Sequence, residues 1–140
     1  MTKMIIFGSR TLKDKRIKEI LEKEIDGCQD LEEIITGGET AGVSQIGREL
    51  ARKKAIPLKL FFLNQDRYGR AKYDHRSKEI LAEGNYAVVI WNGKSKGTFN
   101  ELELIKKMKI RYKLYLVEDI ELEFIYDNFD LDAFDFTEEI

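Results

Sequence analysis

Five short apolar runs, each closed by a turn and separated from the next by a stretch of helical spacing, constrain this chain more than any other feature of its sequence. Residues 3–8, 31–36, 58–63, 85–91 and 113–117 predict strands, because apolar, β-branched and aromatic residues gather there between glycine and polar boundaries. Residues 14–25, 43–54, 74–82 and 97–109 predict helices. In the first of these Ile17, Ile20, Leu21 and Ile25 share a face, in the second Ile46, Leu50 and Ala51, and in the last Phe99, Leu102, Ile105 and Met108. Strands that alternate with helices pair in parallel, since a parallel neighbour needs a crossover and a helix supplies it. The expected architecture is α/β: a Rossmann-like three-layer sandwich with a five-stranded, mainly parallel sheet. Ala87-Val88-Val89-Ile90 is apolar without a break, which predicts a central strand covered on both faces.

A chain of 140 residues, 43% hydrophobic and 36% charged, supplies one core rather than two. Eleven per cent aromatic residues and a single proline argue against disorder, and no apolar run approaches the roughly 20 residues that span a bilayer. The first residues lack the apolar segment and cleavage site of a signal peptide, so a cytoplasmic location is expected, with no membrane partner. Cys28 is the only cysteine and His75 the only histidine, which rules out a Cys/His zinc cluster; neither a metal nor a cofactor is expected.

Charge divides the chain. All 24 Lys and Arg lie at or before Lys113, and 10 of the 26 acidic residues lie from Glu118 onward, so the body carries 24 − 16 = +8 and the tail −10. A basic body attracts phosphate, as a nucleotide or a nucleic acid, and otherwise is simply a solvated surface. Residues 1–117 form the expected domain. Residues 118–140 are an acidic extension whose Phe124, Tyr126, Phe129, Phe134 and Phe136 make it apolar enough to pack on the body or on a partner chain.

Ligands of open α/β sheets bind beyond the carboxyl ends of the strands. Three turns fall there. Gly8-Ser9-Arg10 offers close backbone approach, a hydroxyl and a forked cation suited to phosphate. Thr36-Gly37-Gly38-Glu39-Thr40-Ala41-Gly42 runs from a strand into a helix, where successive amides and the helix start favour an anion. It is neither a P-loop, lacking Gly-Lys-Ser/Thr, nor a dinucleotide fingerprint, whose glycine spacing differs. Ser95-Lys96-Gly97-Thr98 opens another helix, and Glu101 follows one turn in, either as part of the cap or as a group acting on a ribose. Between the second and third turns, residues 67–78 carry five cations with Tyr68 and Tyr73, whose rings suit a base, and Arg76, which suits a phosphate. His75 reads as a solvated loop residue or an acid–base group.

Taken in order, Ile6-Phe7-Gly8-Ser9-Arg10, Thr36-Gly37-Gly38 through Gly42, Tyr68-Gly69-Arg70-Ala71 with Arg76, and Ser95-Lys96-Gly97-Thr98 before Glu101 resemble the SLOG superfamily, and within it the small YspA-like proteins. The similarity covers residues 4–116. That group includes the LOG (lysine-decarboxylase-like) phosphoribohydrolases and the DNA-processing protein DprA. The resemblance implies a nucleotide or nucleotide-derived ligand at Gly8, Ser9, Arg10, Gly37, Gly38, Glu39, Thr40, Gly42, Tyr68, Arg76, Ser95, Gly97, Thr98 and Glu101, with the glycine turns on phosphate. It also implies a homodimer or higher homo-oligomer. Gly97-Thr98-Phe99-Asn100-Glu101 matches the Gly-Thr-x-x-Glu element of the LOG enzymes, which implies catalytic roles for Glu101 and Arg76 if the chain hydrolyses the base–ribose bond of a nucleoside monophosphate. Asn92-Gly93-Lys94-Ser95, Ser44 and Ser77 depart from the usual pattern. DprA-like nucleic-acid binding is the further alternative, disfavoured by the acidic tail.

Overall fold

Along the inner strands of the computed structural model, side chains alternate between two buried faces, and this period of two sorts the core. The structure describes residues 1–63, 69–119 and 136–139, with backbone alone for Arg70 and the last four. Tyr68 and the rings of Phe124, Tyr126, Phe129, Phe134 and Phe136 fall outside what is described.

The elements are β1 (Thr2–Gly8), α1 (Lys15–Gly27), β2 (Leu31–Gly37), α2 (Val43–Lys53), β3 (Leu58–Phe61), a 3-10 turn (Gly69–Ala71), α3 (Lys72–Glu83), β4 (Tyr86–Trp91), α4 (Lys96–Lys107), β5 (Arg111–Leu116) and β6 (Phe136–Glu139). The sheet order is β3-β2-β1-β4-β5-β6; the first five strands are parallel, and β6 lies antiparallel beside β5. The expected α/β sandwich is what the chain forms. Met4, Ile6, Val88 and Ile90 meet α1 and α2 on one face, through Ile17, Leu21, Leu50 and Ala51. Ile5, Phe7, Ala87 and Val89 meet α3 and α4 on the other, through Ile80, Leu81, Leu102 and Ile105. Strand order reverses between β1 and β4, so the loops leaving their carboxyl ends splay apart and leave a crevice.

Several boundaries differ from the sequence reading. β3 ends at Phe61 rather than Leu63, and α3 starts at Lys72, so Tyr73 belongs to a helix instead of the preceding loop. Phe99 and Met108, expected on the buried side of the last helix, are 46% and 41% exposed. Thr98, Leu102 and Ile105 are its buried positions, with Leu104 partly buried against the same core. The Phe99 ring instead lies 5.9 Å from that of Trp91. Met108 is already the C-cap, beyond which Lys109 takes a positive φ of 56° and ends the helix.

Asp14 is the N-cap of α1, accepting from the Arg16 amide at 3.0 Å, and it also accepts from the Arg16 side chain at 2.9 Å. Arg16 is buried, and its other end donates to the Glu118 carbonyl at 2.7 Å. One carboxylate therefore starts a helix and answers a buried cation. Asp14→Ala removes both and is expected to lower unfolding free energy by about 3 kcal/mol in urea titration, several times the effect of cutting an exposed ion pair.

Candidate functional site

The three turns singled out in the sequence converge. A cleft of about 400 Å³ at the carboxyl edge is lined from β1 by Gly8 and Arg10, from the β2–α2 turn by Glu39 and Ser44, and from the start of α4 by Ser95, Gly97, Thr98 and Glu101. Tyr73, Asp74, Arg76 and Ser77 of α3 close it. The first turns of α2, α3 and α4 all face this space, and neither Gly42 nor Ala71, the N-caps of α2 and α3, makes a side-chain capping bond. The positive ends of these two helix dipoles thus add to the charge of Arg76.

Close backbone contact assembles the walls. A Cβ on Gly8 would lie 2.5 Å from the Val43 Cβ and 2.6 Å from the Ile90 carbonyl oxygen, so only glycine lets α2 and β4 approach β1 this closely. Gly42 has φ +88° and sits against the Arg10 Cα, where a Cβ would come within 2.4 Å. Ser9 is buried behind the cleft rather than in it: its hydroxyl accepts from the Asn92 amide at 3.2 Å, and its carbonyl from the Leu12 and Val43 amides. Asn92 in turn accepts from the amides of Lys94 and Ser95 at 2.9 Å, which shapes the third turn. Ser9 and Gly42 therefore hold the turns together and do not line the opening. Gly37 is likewise covered, by Glu39 and Arg76, while Gly38 and Thr40 line an adjoining hollow.

At the floor of the cleft Arg76 donates to Glu39 in a short ion pair. Arg76 is only 6% exposed. A Cβ on Gly37 would strike the Glu39 carboxylate at 2.4 Å, so the missing side chain makes room for the pair. Arg76 Nε and Glu39 Oε2 are buried and have no hydrogen-bond partner among the described residues. Buried polar atoms are rarely left so, and the two residues that carry them border the cleft.

The cap on α4 is Ser95, whose hydroxyl accepts from the Thr98 amide at 3.4 Å. Glu101 stands a turn further on and takes no part in it, which removes the capping reading of that carboxylate. Its half-buried side chain instead lines the cleft, and burial, reinforced by the Glu39 charge and opposed by Arg76, pushes its pKa up to about 8. Glu101 is accordingly protonated at neutral pH. The half-buried His75 stands opposite Glu79 at 3.2 Å and does not line the cleft.

Ser44 and Ser77, named from sequence only as departures from the family pattern, both line the cleft: the former lies in the first turn of α2 and the latter one position beyond Arg76. Their burial beside cations and carboxylates becomes visible only once the helices meet the sheet.

Protonated Glu101 stabilises the fold fully below its ordinary value of 4.5, and that contribution is lost as pH climbs toward about 8, because the unfolded chain releases the proton earlier. Wild-type stability should therefore fall by at least about 1 kcal/mol relative to Glu101→Gln across this window. Paired urea titrations at several pH values measure the difference, and parallel curves would exclude a raised Glu101. Compared with known proteins, the chain matches no family model, no curated protein and no solved structure.

Proposed function

We propose that this chain is a SLOG-type domain that binds a nucleotide or nucleotide-derived ligand, with the sugar phosphate in the cleft at the β1–β4 crevice. The observation that carries the reading is the buried Arg76–Glu39 pair, with a donor and an acceptor still unanswered, beside uncapped helix starts. A phosphoryl group suits the guanidinium and helix amides, and a ribose suits the hydroxyls and carboxyl groups that line the same cleft. We extend the reading to a homodimer acting in the cytoplasm, which supplies such ligands.

Native mass spectrometry of the purified protein should show subunit number and a co-purified phosphorylated compound together. Titration calorimetry with nucleoside monophosphates should give saturable binding that Arg76→Ala abolishes. Because Arg76 is buried, Gly97→Asp is the cleaner variant: no atom lies within 4 Å of a Cβ built there, so the substitution fits and places a carboxylate at the mouth. It is expected to weaken binding tenfold or more without lowering the melting temperature. Undiminished affinity in both variants would sink the proposed pocket.

Glu101 favours a second reading, hydrolysis of the base–ribose bond of a nucleoside monophosphate. Its raised pKa keeps a proton available at neutral pH next to Arg76. In that reaction the bond from the base to ribose C1′ breaks, a water oxygen bonds to C1′, the base leaves with the Glu101 proton, and the proton lost by water restores the acid. Arg76 holds the phosphorylated ribose. Chromatography of nucleotide incubations should then reveal free base and ribose 5-phosphate, with none formed by Glu101→Gln. Nucleotide binding without release of base would leave the binding reading alone standing.

A further inference from the structure

A second hollow adjoins the cleft, and its chemistry is different. It measures about 340 Å³, shares Arg10, Glu39, Tyr73 and Arg76 with the cleft, and adds Gly38, Thr40, Phe62 and Leu63. Two aromatic residues dominate it. Phe62 is 67% exposed and Tyr73 48%, among the largest exposed apolar side chains described. Neither serves the core of the domain.

Both rings are nevertheless supported. Phe62 follows directly on β3 and lies against the β2–α2 turn: a Cβ on Gly38 would come within 2.4 Å of the Phe62 Cε1, so glycine lets the ring rest on backbone. Tyr73, in the first turn of α3, has the Arg76 guanidinium 5.7 Å from its ring centroid and the Lys72 ammonium 5.4 Å away. These cations attract the ring and limit its freedom. The side chain that answers the phosphoryl group thus also braces an aromatic wall.

We infer that this hollow is a base subsite, in which the planar heterocycle of a nucleotide stacks on Phe62 and Tyr73 while its sugar phosphate occupies the cleft. The inference rests on the nucleotide-binding reading and gives it an orientation. Stacking accepts any base because each presents a π-face, so Phe62 and Tyr73 supply affinity, while Thr40, a hydroxyl on the rim, is the polar group placed to discriminate between bases. An aliphatic tail would use the apolar walls but not the rings' faces or the adjoining cations, and a bare phosphorylated sugar would leave the hollow unused.

Calorimetry with AMP, GMP and CMP beside ribose 5-phosphate, which lacks the base, tests this on the full chain. Wild type is expected to bind the nucleotides at least tenfold more tightly than ribose 5-phosphate. Phe62→Leu, which lies outside the cleft, should weaken nucleotide binding roughly tenfold, the usual scale for losing one stacked ring, with ribose 5-phosphate affinity unchanged, and Tyr73→Leu, which also borders the cleft, should weaken nucleotide binding more than ribose 5-phosphate binding. Phe62→Trp should retain nucleotide binding, since it keeps a stacking face. If both leucine variants bind nucleotides as wild type does while Gly97→Asp does not, the base lies elsewhere and only this inference fails. An equal loss for ribose 5-phosphate would show that the rings merely support the cleft, and would also overturn it. If wild type binds none of the four, the nucleotide reading fails and this inference with it.

Discussion

A guanidinium held almost wholly out of water must be answered by negative charge, and Arg76 sets that requirement for the entire cleft. Glu39 answers it. That pairing dictates a glycine at position 37, because any side chain there would occupy the volume of the carboxylate. Burial, reinforced by the charge of Glu39, disfavours ionisation of Glu101, which accordingly holds its proton to about pH 8. One buried cation thereby fixes a neighbouring backbone and a partner, and that partner's charge helps hold the proton on a third group against the cation's own pull.

The fold makes such a cleft by bringing loops together more tightly than most side chains permit. Gly8 and Gly42 are where β1, α2 and the first loop touch backbone to backbone, and Ser9 and Asn92 fasten that loop to the one after β4. These contacts sit immediately beneath the lining. A substitution there acts on the spacing of the walls, whereas one at Gly97, which faces open space, acts on charge and volume inside the cleft.

Much of this was legible in sequence because it depends on local pattern. Strand and helix order follow from apolar runs and helical spacing, and the sheet direction follows from their alternation. The turns at Gly8, Gly37 and Gly97 were visible as glycine between strand and helix. What the pattern does not contain is which glycine faces the ligand side. Gly42 and Ser9 stand behind the lining and Gly97 within it, yet all look alike in sequence. Phe62 was concealed for the opposite reason: it continues the apolar run of β3, and nothing before folding distinguishes a last strand residue from one turned outward over Gly38. Phe99 shows the same limit on a helix, since helical spacing gives a face but not how wide a stripe the sheet will cover.

The route of the chain after β5 carries a practical meaning. Asp119 accepts from the Thr11 hydroxyl at 2.8 Å and from the Asn92 side chain at 3.1 Å, and Glu118 receives the buried Arg16. A truncation placed at the end of the sheet pattern would strip acceptors from two rim loops and from an interior arginine. The smallest intact unit accordingly extends at least through residue 119, a little past the last strand of its parallel sheet.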